Sequence, residues 1–235
     1  GDNPVVRDTL AEASTALGQD LGALIHAGPK EDLALTTNTQ PVMLVAAVAA
    51  YRVWRAAGGG APAFVAGHSL GEYSALVASG VLTLAQAVPL VRLRAQAMQE
   101  AVPVGVGAMA VRLGMGFEAA MEDAAEAAQG EVCQAANDND PVQVVVSGHK
   151  AAVERAVEIA KARGAKRAML LPVSAPFHCA LMQPAAAVMA DARPLAETLD
   201  AVLLLVVNAT QVRRILLGEA HGAIERADKG VARQA

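Results

Sequence analysis

The chain has 235 residues, of which 54% are hydrophobic, 18% are charged and only 3% are aromatic, and its formal net charge is −4. This apolar content excludes an intrinsically disordered protein, and the length is sufficient for one large domain or two small ones. Two cysteines exclude a disulfide-stapled secreted scaffold, and the scattered basic residues lack the patch typical of nucleic-acid-binding proteins. The longest apolar run, residues 42–51, is too short to cross a bilayer, and no signal peptide is visible, so we expect a cytoplasmic protein without a membrane partner.

The first part of the chain predicts two helices. Residues 5–17 have helical spacing, and Gly18 is a natural stop for this helix. Thr39 can cap a second helix over residues 41–57, which is apolar on almost every side. This distribution predicts a buried helix rather than one on the surface.

The next elements form a strand–turn–helix unit. Residues 61–66 are a short apolar run without polar alternation, which favours a strand covered on both faces, as in a parallel sheet. The run leads into the motif Gly-His-Ser-Leu-Gly at 67–71 and a predicted helix over 72–79. Thr83 and Gln86 then form a possible capping box for a helix that reaches residue 101.

After residue 104, predicted strands and helices alternate along the chain. We predict strands at 107–113, 132–136, 143–147 and 166–171, helices at 117–128 and 150–163, and a turn at 137–141. The resulting order, βαββαβ, is the ferredoxin-like pattern. The predicted fold class is therefore α/β, with a small subdomain over 104–172 inserted into a larger α/β domain made of 1–103 and 173–235. A helix at 181–190 and a strand at 202–207 are expected to return to the large domain.

The motif at 67–71 predicts a nucleophile elbow with Ser69 as the nucleophile. Such a turn is so tight that only small residues fit at its flanks, here Gly67 and Gly71. The backbone N–H of Leu70, at the start of a helix, would then point to an oxyanion next to Ser69. The alternative is that Ser69 is only a helix cap, because Ser69 and Glu72 also match a capping box.

A serine nucleophile needs a base, and His178 is the best placed of the five histidines. It lies in a proline-punctuated loop between a predicted strand and a predicted helix, where catalytic groups gather. His68 is expected to point away from Ser69, as a strand neighbour does. His26 and His149 have loop-like contexts, and His221 lies in the tail. An ordinary loop histidine remains the alternative for His178, and we interpret Cys179 as a small packed residue.

Arg94 is the third residue of interest, because it lies between Leu90 and Met98 on a helix face that otherwise looks buried. A guanidinium there requires a carboxylate, either from another side chain or from a substrate. Arg92 is interpreted as a solvated charge. The sequence contains no metal-ligand spacing, phosphate loop or dinucleotide fingerprint, so no metal or cofactor is predicted.

Three segments in order resemble the malonyl-CoA:acyl carrier protein transacylases of bacterial fatty-acid synthesis. They are GHSLGEYSALVASGVL, VRLRAQAMQEAVPVGVGAMA and VSAPFHCALM, and the resemblance extends from about residue 5 to residue 208. It implies a hydrolase-like parallel-sheet core with a ferredoxin-like insertion. It also implies an acyl-carrier-protein S-malonyltransferase that uses CoA and phosphopantetheine thioesters as substrates without a cofactor. We expect a monomer, although the sequence itself does not reveal the oligomeric state.

The same resemblance implies a role for individual residues. Ser69 is the nucleophile, His178 is the base, and Arg94 binds the malonyl carboxylate. The Leu70 amide is an oxyanion donor, Met98 lines the pocket, and Phe177 occupies a position that is often aromatic in malonyl-selective relatives. The implied mechanism is ping-pong, through a malonyl-serine intermediate, from malonyl-CoA to acyl carrier protein.

The chain departs from the family pattern at both ends. The G-Q-G-S-Q loop with its second oxyanion donor, and the later G-P-G-type loop and glutamine, are not in these 235 residues. We therefore expect either part of a longer protein or a fragment with impaired activity.

Two other functions stay open from the residues alone. The first is a serine esterase or thioesterase, for which Asp138 or Asp140 would have to complete a triad. The second is a module that only binds carrier protein through basic residues of the insertion. Those residues are Lys150, Arg155, Lys161, Arg163, Lys166 and Arg167.

Overall fold

The computed structural model describes residues 3–192 as a helical unit followed by a small sheet with its own helices. The helices ahead of the sheet are α1 (Pro4–Leu17), α2 (Leu21–Ala27), α3 (Lys30–Ala34), α4 (Thr36–Ala56), α5 (Gly71–Ala78) and α6 (Leu84–Glu100). The sheet region contains β1 (Gly107–Leu113), α7 (Phe117–Ala128), β2 (Cys133–Asp140), β3 (Gln143–His149), α8 (Lys150–Ala162) and β4 (Arg167–Leu170). A 3₁₀ turn (Ala180–Met182) and α9 (Gln183–Asp191) follow, and the strand expected at 202–207 lies outside the described residues.

Two of the predicted helix ends are confirmed. Gly18 ends α1 in the left-handed conformation, with φ of 68°, which glycine adopts without steric cost. At the start of α6, the Thr83 side chain accepts from the Gln86 backbone N–H and the Gln86 side chain accepts from the Thr83 backbone N–H. These reciprocal bonds are the predicted capping box, and they fix where the helix that carries Arg94 begins.

Helix α4 differs from its prediction at its start and in its burial. It begins at Thr36, so Thr39 is not its cap, and the Thr39 hydroxyl instead donates back to backbone carbonyls at 33 and 35. Leu44, Val45 and neighbours on one face are buried against α1 and α6, but Met43 is 57% exposed. The prediction of a helix buried on all sides was wrong for the described structure, because α1 and α6 cover only one face.

The predicted strand over residues 61–66 does not form in the described part of the chain. All six residues are exposed, and the Phe64 side chain is 91% exposed. A strand requires a neighbour that accepts and donates its backbone hydrogen bonds. No strand among residues 3–192 lies beside this segment, since the four that form belong to the later sheet. The segment nevertheless leads directly to Ser69.

The later sheet is antiparallel, with strand order β2-β3-β1-β4, and its elements follow the predicted order βαββαβ. The prediction of a turn at 137–141 was wrong, because β2 continues to Asp140. Register shifts between Ala135 and Asn137 and between Asp138 and Asp140 allow the polar residues to stay in the strand. The chain turns at Pro141 and Val142 instead.

The two faces of this sheet have different neighbours. Ala110, Val144 and Val146 face α7 and α8, whose buried positions are largely alanine, so the helices approach the sheet closely. Met109 and Val145, one residue along each strand, face the opposite way and pack near Phe177. The second face therefore supports the loop that carries His178. Among residues 3–192, no helix is long and apolar enough to span a membrane.

Candidate active site

Ser69 lies in the tight turn immediately before α5. Its backbone has φ of 53°, a left-handed conformation that a non-glycine residue adopts only when the surroundings enforce it. The residue at the cap position of α5 is Leu70, and no side chain caps the helix. The interpretation of Ser69 as a helix cap is therefore wrong, because its hydroxyl is engaged with His178 and Arg94 instead.

The two glycines that flank this turn are not equivalent. A Cβ atom added to Gly67 would lie 1.9 Å from the carbonyl carbon of Gly71 and 2.1 Å from the backbone nitrogen of Glu72. A Cβ added to Gly71 would meet nothing within 4 Å. The expectation that only small residues fit is supported sterically at Gly67, whereas Gly71 has room for a side chain.

We expect Gly67→Ala to disrupt the turn and Gly71→Ala to be tolerated. The added Cβ at Gly67 clashes with backbone atoms, so the chain itself must move to relieve the clash. This movement should lower the free energy of unfolding by about 1–3 kcal/mol or more. A displacement of Ser69 by about 1 Å would slow its chemistry roughly 100-fold. Denaturant unfolding and the rate of Ser69 labelling by a fluorophosphonate measure both effects. Equal behaviour of the two variants would contradict this account of the turn.

His178 lies against Ser69, as the sequence predicted, with its Nε2 atom 2.9 Å from the Ser69 Oγ atom. It too has a left-handed backbone, with φ of 61°. The loop is held on both sides of the histidine, because the Cys179 thiol donates to the Pro176 carbonyl and the Ala180 backbone N–H donates to the Gln134 side chain. A hydroxyl and an imidazole at this distance form the pair that nucleophilic catalysis requires.

The surroundings favour the neutral, proton-accepting form of His178. Burial, followed by the charge of the nearby Arg94 guanidinium and the proximity of the His68 ring, lowers the pKa of His178 to about 4. Burial raises the pKa of the neighbouring Cys179 thiol, so this buried cysteine stays protonated near neutral pH. Of the two side chains beside His178, only the Ser69 hydroxyl bonds to the imidazole, and Cys179 is buried, as expected for a packed residue.

The pH dependence of Ser69 reactivity should follow this shift. We expect the labelling rate to rise with pH through the pKa of about 4 and to be level above it, instead of rising near the ordinary value of about 6.5. The unfolded chain binds a proton at His178 in that interval and the folded chain does not, so stability should fall as pH falls from about 6.5 towards 4. The labelling rate of Ser69 measured across the pH range tests the first expectation, and the free energy of unfolding measured at pH values near 4 and 6.5 tests the second. A midpoint near 6.5 would contradict the burial argument.

Arg94 is buried, with 5% of its surface exposed, on the face of α6 that meets the Ser69 turn. Its Nη2 atom donates to the Ser69 Oγ atom at 3.0 Å, and its Nη1 atom donates to the Gln40 side-chain oxygen at 2.6 Å. The guanidinium carbon lies 5.9 Å from the centre of the Tyr73 ring. Among residues 3–192, no carboxylate forms an ion pair with Arg94. The partner that the sequence required is therefore not a side chain of the described structure.

The remaining predicted residues surround this centre. Met98 is buried one turn beyond Arg94. Phe177 packs against the hydrophobic cluster of α6 and α9 that contains Met98, and also against the sheet. Leu70 lies at the cap position of α5, and the backbone N–H groups of the next three residues donate to the carbonyls of residues 68–70. Arg92 donates to Gln19 and Asn38, away from Ser69, and it is half-buried there, so the interpretation as a solvated charge was wrong.

Sequence reasoning missed several residues of the site. Gln40 and Tyr73 hold Arg94, and Asn137 of β2 lies 3.0 Å from the His68 ring. The His68 and His178 rings are 6.3 Å apart, so His68 does not point away from the site. The signal for Gln40 was present, because it shares one face of α4 with Leu44 and Val48 and is polar among apolar residues. The signal for Asn137 was not, because it depends on β2 extending beyond the expected turn.

Comparison with known proteins finds relatives over most of this chain. The malonyl CoA-acyl carrier protein transacylase of Escherichia coli K12 is 58% identical over 183 residues, which are 78% of this chain and 59% of that protein. The corresponding protein of Bacillus subtilis is 46% identical over 199 residues, 84% of this chain and 61% of that protein. This chain thus spans about six tenths of the length of the curated relatives it matches.

Several solved structures also resemble this chain. An acyl-carrier-protein S-malonyltransferase from Burkholderia pseudomallei 1710b has a TM-score of 0.78 at 60% identity, over 79% of this chain and 61% of that one. A malonyl-transacylase solved with a type II PKS acyl-carrier protein has a TM-score of 0.80 at 54% identity, over 82% of this chain and 62% of that one. The model of the acyl transferase domain matches residues 1–200. The chain therefore belongs to the acyl transferase domain family.

Proposed function

We propose that this protein transfers a malonyl group from malonyl-CoA to the phosphopantetheine thiol of acyl carrier protein, through a malonyl ester on Ser69. The observation that carries the proposal is the position of Arg94. A buried cation without a carboxylate partner in residues 3–192 donates directly to the hydroxyl of a serine paired with a histidine. A substrate that brings both an acyl carbonyl and a carboxylate satisfies the serine and the arginine together.

In the first half-reaction, the Ser69 oxygen forms a bond to the thioester carbonyl carbon while its proton moves to the Nε2 atom of His178. The Leu70 backbone N–H is proposed to donate to the oxyanion that results. The carbon–sulfur bond then breaks, and the CoA sulfur leaves with the proton from His178. A malonyl ester on Ser69 remains.

In the second half-reaction, the phosphopantetheine thiol gives its proton to His178 and its sulfur attacks the ester carbonyl. The carbon–oxygen bond breaks, Ser69 regains the proton, and malonyl-carrier protein leaves. Every proton moves through one imidazole, whose low pKa keeps it unprotonated at the start of each half-reaction. No resident cofactor takes part in either step.

Arg94 provides the specificity in this proposal, and Met98 and Phe177 line the acyl pocket. An acetyl group would leave the guanidinium buried without an anion, which is unfavourable by several kcal/mol. An esterase for neutral acyl groups would not benefit from a cation at this position. Burial and the Arg94 cation lower the pKa of His178, whereas the acid of a hydrolase triad would raise it.

The finer fold assignment and the setting are also proposals. The βαββαβ order and the sheet order β2-β3-β1-β4 support a ferredoxin-like subdomain over 104–172. The hydrolase-like core over 1–103 and 173–235 stays a prediction, and residues 193–235 of it lie outside the described structure. A basic docking face for carrier protein has weaker support, because Arg155, Lys161 and Arg163 of the insertion already pair with acidic side chains. A cytoplasmic, monomeric protein stays a prediction.

An acylation assay tests the proposed function. The protein is incubated with malonyl-CoA, its intact mass is measured, and carrier protein bearing phosphopantetheine is then added. We expect one malonyl group per chain, followed by its loss as malonyl-carrier protein forms. Absence of the adduct would overturn the proposal, and release of free malonate in preference to transfer would favour the esterase alternative.

A further inference from the structure

Arg94 is held in place by neutral groups. Its guanidinium contacts the Gln40 amide oxygen, the Ser69 hydroxyl and the face of the Tyr73 ring. Burial lowers the pKa of Arg94, but an arginine side chain remains protonated in proteins. A buried cation therefore keeps its full charge, and its neighbours orient it without neutralising it.

Gln40 makes the shortest of these contacts and is itself buried, with 9% of its surface exposed. It comes from α4, which packs along α6, so the bond joins two helices far apart in the chain. The Gln40 amide nitrogen faces the Met98 sulfur at 3.8 Å, a weak acceptor. The amide orientation is thus fixed, because a reversed amide would place its N–H groups against the guanidinium.

We propose that Gln40 is a positioning residue that sets the acyl specificity of the site, an inference that rests on the proposed malonyl transfer. Its neutral oxygen fixes the direction of the guanidinium and leaves the positive charge for the carboxylate of the acyl group. A carboxylate at the same position would complete an internal ion pair with Arg94. The malonyl carboxylate would then enter a pocket that already contains an anion.

The discriminating variant is Gln40→Glu, which keeps the shape of the side chain and adds the charge. We expect its kcat/KM for malonyl-CoA to fall roughly 100-fold, because the substrate carboxylate is repelled and its cation is already paired. Acetyl-CoA carries no charge on its acyl group, so its rate should change much less. The ratio of malonyl to acetyl transfer should therefore fall at least about tenfold.

Gln40→Met tests the hydrogen bond without adding charge, and keeps the proposal testable if the glutamate variant does not fold. Loss of a bond to a charged group should raise the KM for malonyl-CoA roughly tenfold or more, with little change in acetyl transfer. A purely structural role for Gln40 would lower both activities together and leave their ratio unchanged.

Gln19→Glu is the matched control. The Gln19 side-chain oxygen accepts from Arg92, which lies on α6 as Arg94 does. The control therefore adds the same charge beside a second arginine of α6, one that points away from Ser69. We expect its malonyl-to-acetyl ratio to match that of the unmodified protein. An unchanged ratio in Gln40→Glu, or an equal change in Gln19→Glu, would overturn the inference while leaving malonyl transfer intact. Failure of the unmodified protein to form a malonyl adduct would instead overturn the proposed function, and the inference with it.

Discussion

Ser69→Ala is expected to abolish the malonyl adduct and to reduce transfer to carrier protein at least about 10⁴-fold, the scale typical of losing an activated serine. The reason is chemical, because alanine offers no oxygen to form the ester, and the His178 imidazole 2.9 Å away then has no proton to accept. The fold should be retained, since Ser69 does not cap α5 and its only described side-chain partners are His178 and Arg94. Intact mass after incubation with malonyl-CoA measures the adduct, and peptide mapping of the unmodified protein locates it.

Ser79→Ala serves as the control for this experiment. Ser79 lies at the other end of α5, where its hydroxyl donates to the Leu76 carbonyl and does not face the histidine. It should form the adduct at the normal rate. An adduct that persists in Ser69→Ala, or one that maps to Cys179 beside the histidine, would contradict the assignment of the nucleophile.

Arg94→Ala should produce the second large effect, on selectivity rather than on chemistry. The variant loses the cation that we propose pairs with the malonyl carboxylate, which costs about 2–5 kcal/mol, or roughly 30-fold to a few thousand-fold in kcat/KM. Transfer of an uncharged acetyl group should be maintained or improved, because the pocket no longer contains an unpaired buried charge. Competition between malonyl-CoA and acetyl-CoA, read by intact mass, gives the ratio directly.

The same variant should also change the pH profile. The positive charge of Arg94 is one of the causes that lower the pKa of His178, after burial, so its removal should move the acid limb of the acetyl reaction to higher pH. Arg92→Ala, two residues away on α6, removes a charge that points elsewhere and should leave both the ratio and the limb in place. Unchanged selectivity in Arg94→Ala would remove this arginine from the substrate site.

Much of the site could be predicted because its signals are local. The Thr83 and Gln86 capping box, the Gly18 stop and the polar residue at position 94 of an apolar helix face each depend on neighbours within about one or two helical turns. The short motif around Ser69 and the loop of His178 were located in the same way. Their mutual distance of 2.9 Å was not available from any local pattern.

The errors share a physical cause, which is dependence on distant contacts. Residues 61–66 have the composition of a buried strand, but strand formation requires partners, and none lies beside them in residues 3–192. Asn137 belongs to a turn by composition, yet pairing with β3 keeps it in β2. His68 was expected to follow strand geometry, and without that strand its ring lies 6.3 Å from the His178 ring.

Phe177 has a mechanical consequence, because it is the residue next to the base and it packs against two separate hydrophobic clusters. One cluster belongs to α6 and α9 and contains Met98, and the other is the open face of the sheet, with Met109 and Val145. The loop is therefore anchored to both the helices and the sheet, and the turn of Ser69 also reaches the sheet, because the neighbouring His68 ring lies 3.0 Å from the Asn137 side chain of β2. The distance between the imidazole and the Ser69 hydroxyl therefore depends on how the sheet packs against the helices, so a substitution at Phe177 acts on the serine–histidine pair without touching either member of it.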